Sequence, residues 1–443
     1  MQAIRFVHAA DLHLDAAFAG ITREAPAELV RTLRESTFVA LDRLAALCER
    51  ERPDFLVIAG DAYNLEDRSL RAQLALRDAC ARLARIGVPV FIAHGNHDPL
   101  SSRLHGVRWP DNVTVFGEEP SSWPVFRSDT GVEAAEHPLA VVHGVSHGTA
   151  REGRNLALRF HRADTPCLQV GVLHCTVDGS RDKGRYAPCS PGDLAVSGMD
   201  YWALGHAHER REISARPLAV YAGCTQGLHI NEEGEKGCVL VTAEPDGGGD
   251  YVLSTVFHAL GPVIWRILDV DLGMSDPDAG PDWLEDCLRG ALRNLVGEQG
   301  PGCEALVVRL RLRGRTGLDA ALRREAFRAD LLERLRAWET DARDIEEIEG
   351  GPRVWVKDIE ISTRPLAERG RLLEREDLLG EIARLAEACR QSPEQMNAFG
   401  QAALTPLFDH PRARKVLAPL SDVEIARLLD DAESLCADLL ENE

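Results

Sequence analysis

The stretch LGHAH, residues 204–208, follows the short apolar run YWAL and sets His206 and His208 one residue apart. In extended chain, residues i and i+2 point to the same side, so the two imidazoles can face one point. An isolated H-x-H at the end of a strand is most simply a solvated polar terminus. What the other strands deliver to the same place decides between that reading and a functional one.

Working outward, residues 1 to about 260 alternate short β-branched runs with helical segments, the pattern of layered α/β architecture. The runs IRFVHA, DFLVIAG, VPVFIAH, LAVVHGV, LQVGVLHC, YWALGH, LAVYAG, GCVLVTAE and YVLSTVFHAL read as strands. Between the second and third lies RSLRAQLALRDACARLARIG, where Leu70, Leu74, Arg77, Ala81 and Leu83 to Ile86 give a helical stripe and Gly87 a stop. Later strands are closely spaced without long helices, which predicts a second sheet of antiparallel character packed on the first.

The polar residues share one position in this pattern. Asp11 and His13 follow the first strand, Asp61 the second, and Asn96, His97 and Asp98 the third. His174 ends LQVGVL, and His206 and His208 end YWAL. Ligands of α/β sheets gather outside the carboxyl ends of strands, where loops converge, so these residues predict one site. Carboxylate, imidazole and carboxamide without thiolate suit a hard-to-borderline divalent ion such as Mn²⁺, Fe²⁺, Mg²⁺ or Zn²⁺. Seven candidate ligands exceed the needs of one octahedral ion, and two ions sharing a carboxylate is the economical solution. Such a pair, about 3.5–4 Å apart, activates water and clamps a phosphoryl group, so phosphoester hydrolysis is the expected output.

Composition limits the partners. The chain has 51 Lys and Arg against 71 Asp and Glu, a formal charge of −20, so it lacks the broad basic surface of a protein that grips nucleic acid through phosphates. Local cations must serve, and the loop GSRDKGRYAPCS offers Arg181, Lys183 and Arg185 near His174 for phosphate-backbone contact. The alternating Arg309, Arg311, Arg313 and Arg315 read instead as the solvent face of a strand. Eleven cysteines without a C-x-x-C pair predict reduced, mostly buried thiols. No signal peptide or membrane-length apolar run is visible, which predicts a cytoplasmic protein.

From about 263 the order strand, helix, strand, helix, strand predicts a small α+β domain through 364. Residues 365–443 read as helical, with Leu372, Leu379, Ile382, Leu385, Ala386 and Cys389 on one face. A last helix, opened by Ser421 and Glu424 at capping-box spacing, carries Leu428, Leu429, Ala432, Leu435, Cys436 and Leu439 opposite a strongly acidic side. That face either packs on its own domain or receives a partner helix.

The ordered set D-x-H, GD, GNHD, H, GHxH is far more specific than its parts. Residues 1–262 resemble the calcineurin-like metallophosphoesterases, and within them the SbcD-type DNA-repair exonucleases. The likeness is nearest to the bacterial YhaO branch, through GDAYNLEDRSLRAQLALR, GVLHCTVDG, YAPCSPGDL, DYWALGHAHER and YAGCTQGLHINEEGEKGC. The resemblance implies a four-layer α-β-β-α sandwich (1–262), a capping domain that orients DNA (263–364), and C-terminal helices (365–443) that dock on an SMC-like coiled-coil ATPase. It also implies a homodimer and manganese-dependent exonuclease action on DNA. In the family pattern, Asp11, His13, Asp61 and His208 hold one ion. Asp61, Asn96, His174 and His206 hold the other, with Asp61 bridging. His97 would then be free to orient the scissile phosphate and protonate the leaving oxygen, and Asp98 would orient His97. Some relatives carry a histidine three residues after the bridging aspartate. Here that position is Asn64, which can hydrogen-bond phosphate but cannot act as a cationic acid. Two other functions fit the same residues: a phosphodiesterase or phosphatase for a small nucleotide or a phosphoprotein, and a non-catalytic assembly subunit.

Overall fold

A computed structural model describes residues 3–18, 25–64, 69–102, 107–127, 137–177, 186–273, 279–344, 351–365, 369–408 and 422–440. The chain divides into two compact units, one of Met1–Val270, Asp282–Arg311 and Arg328–Glu360, the other of Asp271–Pro281, Leu312–Phe327 and Ile361–Glu443.

The first unit is built on β1 (Ile4–Ala9), β2 (Phe55–Ala59) and β3 (Val90–Ala93), three parallel strands continued by β4 (Val113–Val115). Their near-continuous apolar sequence follows from burial on both faces, and every residue of β2 and β3 is buried. On the outer face lie α1 (Ala27–Glu51) and α2 (Leu70–Ala84). Leu29, Leu33, Leu41, Leu44 and Cys48 of α1 form a stripe at helical spacing, and Ser69 caps α2 by accepting from the Ala72 amide. In α2 the buried face is Ala72, Leu76, Ala79, Cys80 and Leu83, whereas Leu70 is exposed. The stripe expected from Leu70, Leu74, Arg77 and Ala81 is therefore rotated, because the small residues at 72, 79 and 80 allow the helix to approach the sheet.

A second sheet takes its edge from β5 (Ser121–Val125) and runs on through β6 (Ala140–Gly144), β7 (Leu168–His174) and β8 (Tyr201–Gly205). It is completed by β9 (Arg211–Ala215) and β10 (Leu218–Tyr221), in the order β5-β6-β7-β8-β10-β9. Only its edges are antiparallel; β6, β7, β8 and β10 pair in parallel. This corrects the expected antiparallel character. The links between these strands are crossovers, such as the one through α3 (Pro191–Val196), although they hold too little helix to show as long amphipathic runs. β11 (Gly237–Pro245) and β12 (Tyr251–Ala259) return to the first sheet and complete the order β12-β11-β1-β2-β3-β4.

Phe6, Phe55 and Phe91 of one sheet meet Val142, Val170 and Tyr201 of the other in a shared core. A further cluster of Phe160, Leu194 and Trp202 covers the outer face of the second sheet. The result is the α-β-β-α sandwich, and it brings the carboxyl ends of β1, β2, β3, β7 and β8 together.

Beyond it, β13 (Val263–Asp271), α4 (Pro281–Gly297), β14 (Ala305–Thr316), α5 (Asp319–Leu322), α6 (Glu325–Asp344) and β15 (Arg353–Pro365) follow the predicted order except that the second helix is broken in two at Arg323 and Arg324, with the strands ordered β13-β14-β15. The arginines of β14 pair across the sheet, Arg309 with Asp358 and Arg311 with Glu360. In the second unit, α7 (Arg369–Glu374), α8 (Leu378–Gln391) and α10 (Asp422–Leu440) gather around Leu372, Leu379, Ala383 and Ala437, and α9 (Pro393–Phe408) packs beside α8 and α10. Leu385, Leu435 and Leu439 remain exposed, and Ser421 lies outside the described residues. All eleven cysteines are free thiols, buried or half-buried, and no helix among the described residues is long and apolar enough to cross a membrane.

Candidate metal centre

The sequence places polar groups just beyond apolar strands, and the backbone there bends sharply. Asp11, His13, Asp61 and His206 all adopt positive φ, at 49°, 42°, 49° and 103°. Non-glycine residues reach that region at a cost, and such strain clusters where side chains must be aimed. Glycines allow the close approach: a Cβ on Gly205 would lie 1.8 Å from the Ala59 carbonyl oxygen, and one on Gly60, at φ +94°, would lie 2.3 Å from His174 Nδ1.

Three groups of potential ligands form among the described residues, each with donor atoms within 4.8 Å of one another. One joins His208 to Cys224 and Glu232; the two at the strand ends are Asp11, His13 and His208, and Asp11, Asp61 and His174. His13 Nε2 and His208 Nε2 are 3.1 Å apart. His174 Nε2 lies 3.0 Å from Asn96 Oδ1 and 3.2 Å from Asp61 Oδ2. Asp11 is common to both strand-end groups, whereas the family pattern gives the bridge to Asp61. Asp61 Oδ2 is turned toward His174, and its Oδ1 accepts from the His97 amide at 2.8 Å. His206 sits beside His174, ring centroids 5.3 Å apart, and its amide donates to both oxygens of Asp11.

The outward nitrogens of these rings are occupied. His174 Nδ1 faces the Ala59 carbonyl at 3.0 Å and must donate its proton there. Its Nε2 then points a lone pair at carboxylate and amide oxygens, an arrangement that requires a cation, proton or metal, among them. His208 Nδ1 likewise donates to Glu232 Oε1 at 2.5 Å, and His13 Nδ1 to Asn64 Oδ1 at 2.7 Å. This donor set of carboxylates, imidazoles and one carboxamide fits hard-to-borderline divalent ions.

The electrostatics agree. Burial disfavours charge on His174, but Asp61 outweighs it and raises the imidazole to about 9. Burial is likewise overcome at His208 by the Glu232 hydrogen bond and by Asp11, again to about 9. His13, with burial and the neighbouring His208 acting together, falls to about 4. Burial raises Asp11 to about 6, against the pull of His174 and His208. At Asp61 burial pushes up, yet the charge of His174 holds the carboxyl well below its usual range. Positive charge is thus favoured on His174 and His208 and disfavoured on His13.

His97 is exposed at the rim, its ring 5.1 Å from that of His13. Asp98, expected to orient His97, is instead fully buried: it accepts from the Ala62 and Gly95 amides at 2.9 and 2.7 Å and lies 3.1 Å from His94 Nδ1. It ties the loop after β3 to the loop after β2. Asn64 is turned to His13. Tyr63 packs in the core and presents no free face for a base. Arg181, Lys183 and Arg185 lie outside the described residues.

Glu232 escaped the sequence reading, as did His147, whose Nε2 donates to the His174 carbonyl at 2.7 Å. Neither stands at a motif spacing. The one available signal was that Glu232 falls in GLHINEEGEKG, a polar stretch between two strands.

Residues 4–210 match the family model described as calcineurin-like phosphoesterase, and residues 265–364 match the middle domain of metallophosphoesterase YhaO. The chain is 36% identical over 271 residues to the uncharacterized metallophosphoesterase YhaO of Bacillus subtilis, a match covering 61% of this chain and 63% of that relative. It is 28% identical over 240 residues to the DNA double-strand break repair protein Mre11 of Aeropyrum pernix, covering 52% and 55%. The chain thus spans under two thirds of either relative. Among solved structures, a dimetal phosphatase from Danio rerio aligns with 58% of this chain and 99% of its own at 14% identity and a TM-score of 0.32, too distant to bear on the site.

Proposed function

We propose that this chain, whose residues 4–210 match the calcineurin-like phosphoesterase model, is a divalent-metal phosphodiesterase that acts on DNA as an exonuclease. The observation that carries the reading is the convergence of His13, His208, His174 and Asn96 with Asp11 and Asp61 on two adjoining points. Calcineurin-like phosphoesterases bind two divalent metals. Here His13 and His208 with Asp11 would hold one, and His174, Asn96 and Asp61, with His206 beside them, the other. Bound there, a metal pair supplies Lewis-acid charge to phosphoryl oxygens and lowers the pKa of water. Mn²⁺ is the ion we expect.

The chain's own residues do the rest. His97, exposed beside His13, hydrogen-bonds the phosphodiester and gives a proton to the leaving oxygen. Asp98 holds the loop that presents it. The reading for DNA leans on the likeness to the Mre11 protein and on sequence beyond a minimal phosphoesterase domain. A homodimer, a cytoplasmic location and an SMC-like ATPase partner complete the proposal, the last supported by exposed Leu385, Leu435 and Leu439 on the C-terminal helices.

The test compares Mn²⁺-dependent cleavage of linear DNA with that of bis-p-nitrophenyl phosphate, in wild type and His97→Ala. A nuclease cuts both. The variant should lose about 10²–10⁴-fold in kcat with metal content unchanged. Cleavage of the small ester alone would assign the site to nucleotides or other small phosphodiesters, and DNA cleavage that survives in His97→Ala would remove the role given to that residue. Absence of both activities in wild type would point to an assembly subunit.

A further inference from the structure

The loop between β10 and β11 makes a set of contacts that the phosphoesterase motifs do not include. Glu232 is buried at 7% exposure, and both of its oxygens are committed. Oε1 takes His208 Nδ1 at 2.5 Å and lies 3.1 Å from His229 Nε2, while Oε2 accepts from the Leu228 amide at 2.6 Å. The same loop grips His208 from behind. The Cys224 amide and Lys236 Nζ donate to the His208 carbonyl oxygen at 3.2 and 3.4 Å. β13 fixes the loop in turn: Trp265 Nε1 donates to the Gly227 carbonyl at 2.8 Å, and the Gly234 amide donates to the Trp265 carbonyl at 3.0 Å.

We infer that Glu232 is the positioning residue for His208: it fixes the ring with Nδ1 protonated and Nε2 free to face the ion shared with Asp11 and His13. The inference rests on the two-metal reading of the site. A carboxylate behind a ligating imidazole sets its tautomer and raises its basicity, and removal of such a partner costs about 10–100-fold in metal affinity. His13 has a neutral carboxamide, Asn64, in the equivalent place, and His174 a backbone carbonyl. Glu232 is therefore the anionic anchor behind this group of ligands, and the ion held by His208 should feel its loss more than the ion held by His174.

The experiment is calorimetric titration of the metal-free full chain with Mn²⁺, in wild type, E232Q and E232A, with melting of the metal-free proteins alongside. Wild type should bind two ions. E232A should bind one of them about 10–100-fold more weakly and keep the other. E232Q, which retains the acceptor oxygen without the charge, should fall between, and its metal-free melting temperature should stay near that of wild type. Two wild-type-like affinities in E232A would overturn the inference and leave the two-metal reading standing. Equal loss at both sites in E232A and E232Q, with a fall in metal-free melting temperature, would also overturn it, since that marks a residue needed only to fold the loop. No binding by wild type would overturn the two-metal reading and the inference with it.

Discussion

At the scale of the residue, His8 shows what the strand that delivers Asp11 must tolerate. It lies wholly buried in β1, its Nδ1 2.9 Å from the Tyr201 hydroxyl. Burial pushes its pKa from 6.5 down to about 3, against a smaller opposing contribution from the Leu204 backbone. Between those values the unfolded chain binds a proton that the folded chain refuses, so stability must rise with pH across that window. The contribution is complete above 6.5 and is lost as pH falls toward 3. Each pH unit within the window is worth about 1.4 kcal/mol. Urea unfolding at pH 6.5 and 5 should therefore show wild type losing about 2 kcal/mol more than His8→Gln; parallel losses would show that His8 titrates freely. None of this was legible in the sequence, where His8 is one more residue of IRFVHA. The ligand candidates were legible, because motif spacing and strand-end position are local properties. Glu232 was not, because it reaches His208 across 24 residues through a loop whose path only the fold determines.

At the scale of the element, sequence periodicity identified most strands of the sandwich and the alternating order of the domain after it. It was less reliable where two faces compete. In α2, Leu74 and Leu76 both belong to helical stripes, and burial favours Leu76, 1% exposed, over half-buried Leu74. Leu76→Ala should cost about 2–4 kcal/mol, and Leu74→Ala distinctly less, by urea denaturation; the reverse order would restore the face read from sequence. The short edge strands β4, β5 and β9 went unread, since three to five residues of mixed polarity carry no clear period. So did α1, though its stripe of leucines is regular. In the C-terminal helices the apolar face read from the sequence is split, with Leu379 and Leu429 inside and Leu385 and Leu435 outside. A single sequence shows which positions are apolar, and the packing of neighbouring helices decides which of them are covered.

At the scale of the whole molecule, the site and the charge of the chain pull in opposite directions. The proposed site collects a phosphodiester anion, yet the chain carries a formal charge of −20. A nuclease that gathers DNA on a basic surface loses affinity steadily as salt rises. On the proposed reading the far field of this chain would repel DNA, and attraction would be confined to the site and a few local cations. Salt screens the far field first: the Debye length falls from about 30 Å at 0.01 M to about 8 Å at 0.15 M, and even the second distance exceeds a direct contact, so contacts at the site itself are weakened far less. Cleavage of linear DNA by the isolated chain should therefore become more efficient, in kcat/KM, across that range. Cleavage of bis-p-nitrophenyl phosphate, which carries one charge, should change little. Such a profile would also explain why a partner that contributes basic surface would help this chain and not merely accompany it. A steady fall in DNA cleavage from the lowest salt would show that local cations govern encounter, and the charge argument for a partner would then fail.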